Sequence, residues 1–126
     1  FKHCESEILD FYNSLPNNLA SSFGFVHGDF KSANMLQTES GQLMLIDLQY
    51  YGKGFREWDL AFFLSKKKAG FNQVFPFFAK QLIPDEQRKR LAFFYVLAML
   101  LHPKPERFLH IFKHNLEPAI NYLKVK

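Results

Sequence analysis

The chain has 126 residues, of which 48% are hydrophobic and 22% are charged, with a formal net charge of +4. This length suits one folded domain, and the composition is typical of a globular chain rather than a disordered one. The modest positive excess suits anionic substrates or solubility and does not by itself indicate a nucleic-acid partner. No apolar run reaches the ~18 residues of a membrane span, so we expect no membrane partner. The single cysteine, Cys4, excludes an intramolecular disulfide and favours a reducing, cytoplasmic location.

The first half of the chain predicts one helix followed by a small β-region. Apolar residues recur at helical spacing over residues 4–15. Residues 24–26 predict a short strand. Residues 35–38 and 43–46 are strand-compatible runs on either side of a glycine-containing turn, which predicts a β-hairpin. Residues 49–56 contain two glycines and are predicted to form a loop.

The second half predicts four helices. They cover residues 57–65, 72–82, 84–101 and 106–123, with Asn72 as a cap of the second and Pro118 as a kink in the last. Pro103 and Pro105 separate the last two helices. The predicted fold class is therefore α+β, mostly α, with a small hairpin that carries the polar loop, and residues 1–126 form a single domain unit.

Polar residues stand at both ends of the predicted hairpin. Asn34 follows Asp29 by five positions, and Asp47 ends the apolar run 43–46. Because a hairpin brings its two ends together, we expect these three side chains to converge. Mg²⁺ prefers oxygen ligands and is usually held by one or two carboxylates and substrate phosphates. Asn34 and Asp47 are therefore candidate metal ligands, which leaves Asp29 to face an attacking hydroxyl.

These residues carry a family resemblance. The run from His27 to Asn34 has the spacing of the kinase catalytic loop H-R-D-x-x-x-x-N, with Gly28 in place of Arg. With the hairpin, the sequence IDLQ at 46–49 and the sequence WDLA at 58–61, it resembles the aminoglycoside phosphotransferase and choline kinase-like family. The IDLQ form followed by YYG also resembles the ecdysteroid-kinase-like branch of that family.

The resemblance implies a protein-kinase-like C-terminal lobe that uses ATP and Mg²⁺ to phosphorylate a hydroxyl of a small-molecule alcohol. It implies that Asp29 is the catalytic base and that Asn34 and Asp47 hold the metal and, through it, the nucleotide. Lys31 matches a position that contacts phosphate, the alternative being a solvated loop cation. The implied structural supports are His27, which braces the loop, Gly28, which serves backbone conformation, and Asp59, a buried acceptor for loop amides.

An N-terminal lobe is not recognisable in the chain. Only 26 residues precede His27, and the six glycines form no G-x-G-x-x-G motif. We therefore expect a C-terminal-lobe fragment that is inactive alone and whose partner is the missing N-lobe. The 16 Phe residues imply either a dense aromatic core or apolar surface for a partner, and we expect some of them to be exposed where the N-lobe would pack. A non-catalytic kinase-like scaffold is the alternative, and a metal phosphohydrolase using His27, Asp29 and Asp47 lacks further ligands. The acceptor-binding residues stay open among Trp58, Glu106 and Glu117.

Overall fold

The computed structural model describes residues 23–80, 85–101 and 105–125. The predicted helix over 4–15 and Cys4 lie outside the described residues. The strands are β1 (Phe23–Val26), β2 (Met35–Gln37), β3 (Leu43–Leu45) and β4 (Gly52–Phe55). The α-helices are α1 (Arg56–Ser65), α2 (Phe71–Ala79), α3 (Asp85–Leu101), α4 (Phe108–Ile111) and α5 (Glu117–Lys124). The described part is thus mostly helical with small antiparallel sheets, which agrees with the predicted α+β class.

The strands form two separate antiparallel pairs. The pair β2–β3 is the predicted hairpin, with Met35 opposite Leu45 and Gln37 opposite Leu43. The prediction of a loop over 49–56 is wrong for 52–55, because β4 pairs with β1 in a register that sets Val26 opposite Gly52. Glycine is a poor strand former by local propensity, so this pairing has no signal in the segment itself. A Cβ on Gly54 would lie 3.3 Å from Val26 Cγ2, and the glycine therefore suits a close approach of the two strands.

The helices differ from their predicted forms in two places. Gly70, not Asn72, precedes α2, and its amide donates to Gln73 Oε1 at 3.2 Å. The predicted helix over 106–123 is divided into a 3₁₀ turn (Pro105–Arg107), α4, a π-helical turn (Phe112–Leu116) and α5. Pro118 in the first turn of α5 has no N–H to donate to a preceding carbonyl, which accounts for the interrupted α-helical pattern.

The core lies among α1, α2, α3 and α5 and is rich in aromatic rings. Phe71 stacks on Phe75 with ring centroids 4.5 Å apart and also contacts Tyr95 and Tyr122. The buried aliphatic residues around them include Leu64, Leu91, Val96, Leu116 and Ile120.

One ion pair crosses this core. Arg90 Nη2 of α3 lies 3.7 Å from Glu57 Oε1 of α1, and both side chains are almost completely buried. A buried pair of this kind resists the loss of either partner, since the remaining charge would be left in the interior. The pair therefore ties the first turn of α1 to the centre of α3.

The hairpin, in contrast to the helices, buries few of its side chains. All three residues of β3 are exposed. The exposed large apolar side chains of this region are Phe25, Leu36, Leu43, Met44, Leu45, Leu48, Tyr50 and Tyr51. Apolar surface is thus exposed around the hairpin, but apart from Phe25 it is supplied by Leu, Met and Tyr side chains. The Phe residues mainly build the aromatic core, among them Phe71, Phe75, Phe93 and Phe94. No helix within the described ranges is long and apolar enough to cross a membrane.

Candidate functional site

The loop that follows β1 is held by a carboxylate from α1. Asp59 accepts hydrogen bonds from the backbone amides of His27, at 2.7 Å, and Gly28, at 3.0 Å. Both amides lie just after the end of β1, where the β-ladder no longer supplies acceptors. A charged acceptor makes stronger hydrogen bonds than a neutral one. Asp59 is half-buried rather than buried, and it accepts from two loop amides; its role as a structural support stays a prediction.

His27 joins the loop to the far end of the hairpin. Its Nε2 lies 2.8 Å from the carbonyl oxygen of Ile46, and its Nδ1 accepts from the amide of Asp29 at 3.2 Å. Since Nδ1 accepts, Nε2 carries the proton and donates to the carbonyl. Both ring nitrogens are thereby engaged in the backbone, and the buried ring is suited to bracing the loop rather than to moving a proton.

Asp29 and Asn34 form the centre of the site. The buried amide of Asn34 donates through Nδ2 to the carbonyl oxygen of Asp29 at 2.8 Å and to its Oδ2 at 2.9 Å. The 3₁₀ turn (Ser32–Asn34) makes this return possible, with the amide of Asn34 donating to the carbonyl of Lys31 at 2.9 Å. Lys31 Nζ lies 3.6 Å from Asp29 Oδ1, in a partly exposed position. The loop therefore orients the Asp29 carboxylate from two sides.

Asp47 immediately follows Ile46, the hairpin residue that is hydrogen-bonded to Asn34. The amide of Ile46 donates to the carbonyl of Asn34 at 2.9 Å, which places the start of β2 against the end of β3. Asp47 has a φ of 61°, and it is exposed. Its carboxylate has no hydrogen-bonding or ionic partner within the described parts of the chain. A non-glycine residue in the left-handed region carries backbone strain, which is found disproportionately at functional sites.

Gly28 allows the segment after Asp47 to pack on the loop. It has a φ of 88°, and a Cβ at this position would lie 2.4 Å from the carbonyl oxygen of Tyr50. No other residue fits both the backbone conformation and the contact. Glycine here, where protein kinases have Arg, therefore accompanies a close approach of Tyr50 to the loop.

The donor set suits a hard divalent cation. With Nδ2 of Asn34 committed to Asp29, the amide oxygen of Asn34 is left to accept, and Asp47 offers a carboxylate without a partner in the described ranges. One carboxylate and one amide oxygen, completed by substrate phosphates, are a usual environment for Mg²⁺. Clusters of three or more His, Cys, Asp or Glu side chains are absent from the described residues, so an all-protein metal cage is not formed there.

One contact of the loop has no counterpart in the sequence-based predictions. Lys67, which follows α1, donates from Nζ to Ser32 Oγ at 3.2 Å and lies over the ring of Phe63. The run of lysines at 66–68 is visible in the sequence, but its proximity to the loop depends on the packing of α1. Of the three open candidates for acceptor contacts, Trp58 packs on Phe62 and Phe94 in the body of the protein.

A loop Asp–Asn pair, a hairpin and a bracing carboxylate form the arrangement expected of an enzyme that transfers phosphoryl groups. Residues 3–94 match the phosphotransferase enzyme family, APH, and the chain belongs to this family. The predicted resemblance to aminoglycoside phosphotransferases is thereby confirmed at the level of the family, and membership implies phosphotransferase activity in general. The choline kinase-like and ecdysteroid-kinase-like assignments stay predictions. No curated protein and no solved structure matches the chain.

Proposed function

We propose that the chain is the catalytic, kinase-like C-terminal lobe of an ATP- and Mg²⁺-dependent phosphotransferase that acts on a hydroxyl of a small molecule. The main support is the double hydrogen bond from Asn34 Nδ2 to the carbonyl and carboxylate of Asp29. An Asn that served only as a loop cap would not need to bind an acidic side chain as well. The contact is explained if the carboxylate must be held in one orientation toward a substrate.

Asp29 is proposed as the general base. It takes the proton of the acceptor hydroxyl while that oxygen bonds to the γ-phosphorus of ATP and the bond from this phosphorus to the leaving ADP oxygen breaks. Phosphoryl transfer passes through a loose transition state, so positioning and charge neutralisation supply most of the rate. Lys31, 3.6 Å from the carboxylate, is the loop cation best situated to stabilise negative charge on the transferred group.

Asn34 and Asp47 are proposed to hold Mg²⁺ through the amide oxygen and the carboxylate. The ion, when bound, would neutralise charge on the nucleotide phosphates. The left-handed backbone of Asp47 supports this assignment, because a strained position without a stabilising partner in the described residues is otherwise unexplained. His27, Gly28 and Asp59 keep their proposed role as structural supports of the loop.

The exposed apolar surface around the hairpin supports a further part of the proposal, an N-lobe that packs on it. Leu43 is 66% exposed and Tyr50 is 64% exposed, which is more apolar surface than a free hairpin face needs. The same surface adjoins Asp47, where the phosphates of a nucleotide would lie. We also propose a cytoplasmic location, since ATP is supplied there and a single cysteine suits a reducing compartment.

The test uses the full-length protein and two substitutions with different expected defects. Asp29→Asn removes the base and should lower turnover by roughly 10²–10⁴-fold, with nucleotide binding nearly unchanged. Asp47→Ala should abolish the Mg²⁺-dependent part of nucleotide binding, measured by calorimetry with and without the ion. Glu39→Gln, an exposed acid in the hairpin turn, is the matched control and should behave as wild type.

Wild-type turnover in the Asp29 variant, or wild-type metal-dependent binding in the Asp47 variant, would refute the corresponding role. A protein that binds no nucleotide with Mg²⁺ at all would instead be the non-catalytic scaffold predicted as the alternative.

A further inference from the structure

Two adjoining cavities lie on the side of the molecule where the end of α1 faces the 105–118 region. One has a volume of about 340 Å³ and extends from Lys68 to Pro118, and the other, of about 230 Å³, extends from Ser65 to Asn115. Lys68 and His110 belong to the walls of both. The larger volume lies at the low end of the range for small-molecule sites, about 300–1,000 Å³, and the smaller lies below it.

The walls of these cavities are basic. They include Lys66, Lys67, Lys68, Arg107 and Lys113. They are five of the 16 lysines and arginines of the chain, so positive charge is concentrated at this place. His110 and His114 add two imidazoles whose ring centroids are 4.3 Å apart. Among the described residues, no Asp or Glu lines either cavity.

One residue in the wall of the smaller cavity contacts the catalytic loop. Lys67 lines the smaller cavity and donates from Nζ to Ser32 Oγ, three residues after Asp29. Gly70 allows the π-helical turn to pack closely on the start of α2, because a Cβ on Gly70 would lie 2.7 Å from the carbonyl oxygen of His114 in that turn. Such turns occur frequently at functional sites. Lys67 thus links the smaller cavity to the loop on the side of α1, whereas Asp47 belongs to the hairpin that follows the loop.

We propose that these cavities receive the acceptor substrate and that the acceptor is a small alcohol carrying a negatively charged group, a phosphate or a carboxylate. This inference rests on the proposed function and specifies its substrate class. Arg107 and the lysines would bind the charged group, which leaves a hydroxyl of the same molecule to approach Asp29. A cationic alcohol would be repelled by the same walls, since like charges brought together in a cleft oppose binding.

The test compares four six-carbon polyols that differ in charge: glucose 6-phosphate, gluconate, glucose and glucosamine. Their binding to the full-length protein is measured by calorimetry at constant ionic strength. The two anions should bind at least about tenfold more tightly than glucose, the effect of one charge-assisted contact, and glucosamine should bind most weakly. The difference between glucose 6-phosphate and gluconate then identifies the preferred anionic group.

Substitutions of residues that line the cavities test whether these residues cause the tighter binding of the anions. Arg107→Gln, at an exposed position outside the core, should weaken the binding of the anions by about tenfold and leave that of glucose unchanged. Lys67→Gln should do the same, and Lys67→Arg, which keeps the charge, should largely retain binding. Lys80→Gln is the matched control, because Lys80 is exposed and lines neither cavity. Equal binding of all four polyols, a preference for glucosamine, or no effect of Arg107→Gln and Lys67→Gln would overturn the proposal.

The binding measurement requires no nucleotide and no turnover. It can therefore refute the anionic acceptor without refuting the proposed phosphotransferase function. Phosphorylation of glucose or glucosamine in preference to the anions, lost in Asp29→Asn, would leave the phosphotransferase assignment standing and refute the anionic acceptor. Phosphorylation of glucose 6-phosphate that is weakened by Arg107→Gln would support both.

Discussion

The two halves of the described structure are held together by different forces. Residues 56–124 bury a continuous set of aromatic and aliphatic side chains, among them Phe71, Phe75 and Leu91. Residues 23–55 bury few side chains, chiefly His27 and Asn34, and keep their geometry through hydrogen bonds to Asp59, Ile46 and Asp29. The helical half therefore owes its stability to burial, and the loop half to a few directional contacts anchored on the first helix.

Because of this difference, we expect substitutions in the helical half to change the stability of the whole protein and substitutions in the loop half to change only the local structure. Substitutions in the helical core should lower the free energy of unfolding of the whole protein, because each removes buried apolar area and leaves a cavity. Substitutions in the loop should act locally, since the loop lies outside the core and few of its side chains are buried. Four experiments, in order of decreasing expected effect, test whether the two halves are as distinct as their contacts indicate.

The largest effect is expected from Phe71→Ala. The ring of Phe71 contacts Phe75, Tyr95 and Tyr122, and its loss should reduce the free energy of unfolding by about 3–5 kcal/mol. Denaturant unfolding monitored by circular dichroism measures it. Leu43→Ala in the hairpin, at a side chain that is 66% exposed, is the comparison and should change stability by no more than about 0.5 kcal/mol. Equal effects of the two substitutions would mean that the hairpin belongs to the same core.

Next in size is Asp59→Ala, which removes the acceptor of two backbone amides. A hydrogen bond to a charged group contributes about 1.5–3 kcal/mol, but both bonds hold the loop rather than the core, so the effect on global unfolding should be smaller than that of Phe71→Ala. The loop after β1 should become mobile while α1 and α3 persist. Hydrogen exchange of the amides of His27 and Gly28 should accelerate strongly, with the amides of residues 91–96 retaining their protection. Unchanged exchange at 27 and 28 would show that the carboxylate does not hold the loop.

A smaller effect is expected from Gly28→Ala, which combines backbone strain with a clash against Tyr50. Gly41→Ala introduces the backbone strain alone and so separates the two causes. Both glycines have a φ near 88°, at 88° and 87°, but a Cβ at Gly28 would meet Tyr50 whereas one at Gly41 would meet nothing within 4 Å. The Gly41 variant should lose about 1 kcal/mol from backbone strain alone. The Gly28 variant should lose about 1–3 kcal/mol more from the clash and lose turnover as well. Thermal unfolding of both variants gives the comparison, and equal losses would mean that residues 49–50 move away freely.

The smallest effect concerns Tyr95 in the helical core. Burial raises the pKa of Tyr95 above its ordinary value of 10.0, although the hydrogen bond from Asn115 Nδ2 at 2.6 Å partly opposes the rise. Because the folded state holds the phenolic proton more tightly, this contribution to stability is complete below pH 10 and falls as the pH rises from 10 through the raised pKa.

Tyr95→Phe should remove this decline at alkaline pH, at a cost of about 1 kcal/mol near neutrality from the lost hydrogen bond. Unfolding midpoints measured between pH 8 and about 11 test the prediction. Tyr51→Phe, at an exposed tyrosine, is the control and should change neither the midpoint nor its dependence on pH. A decline that persists unchanged in Tyr95→Phe would assign it to other groups.

The local features of the site could be predicted from the sequence because they depend on short spacings. The five-residue separation of Asp29 and Asn34 is the length of one loop with a 3₁₀ turn, and the hairpin follows from two apolar runs about Gly41. The element β4 could not be predicted, since Gly52 and Gly54 have no strand propensity of their own and pair only because β1 is present beside them. The π-helical turn escaped prediction for a similar reason, as it depends on Pro118 and on packing against Gly70 together.

By itself, then, the sequence determined the polar loop at one end of the hairpin and the mostly helical body behind it, because spacing and periodicity are local properties of a chain. Only the tertiary structure decided that Lys67 would reach Ser32 of the loop and that lysines at 66–68 would meet Arg107 and Lys113 around shared cavities. The residues that form these cavities are about forty positions apart, and no pattern within either segment encodes the other. Packing of the helices around the aromatic core brings them together.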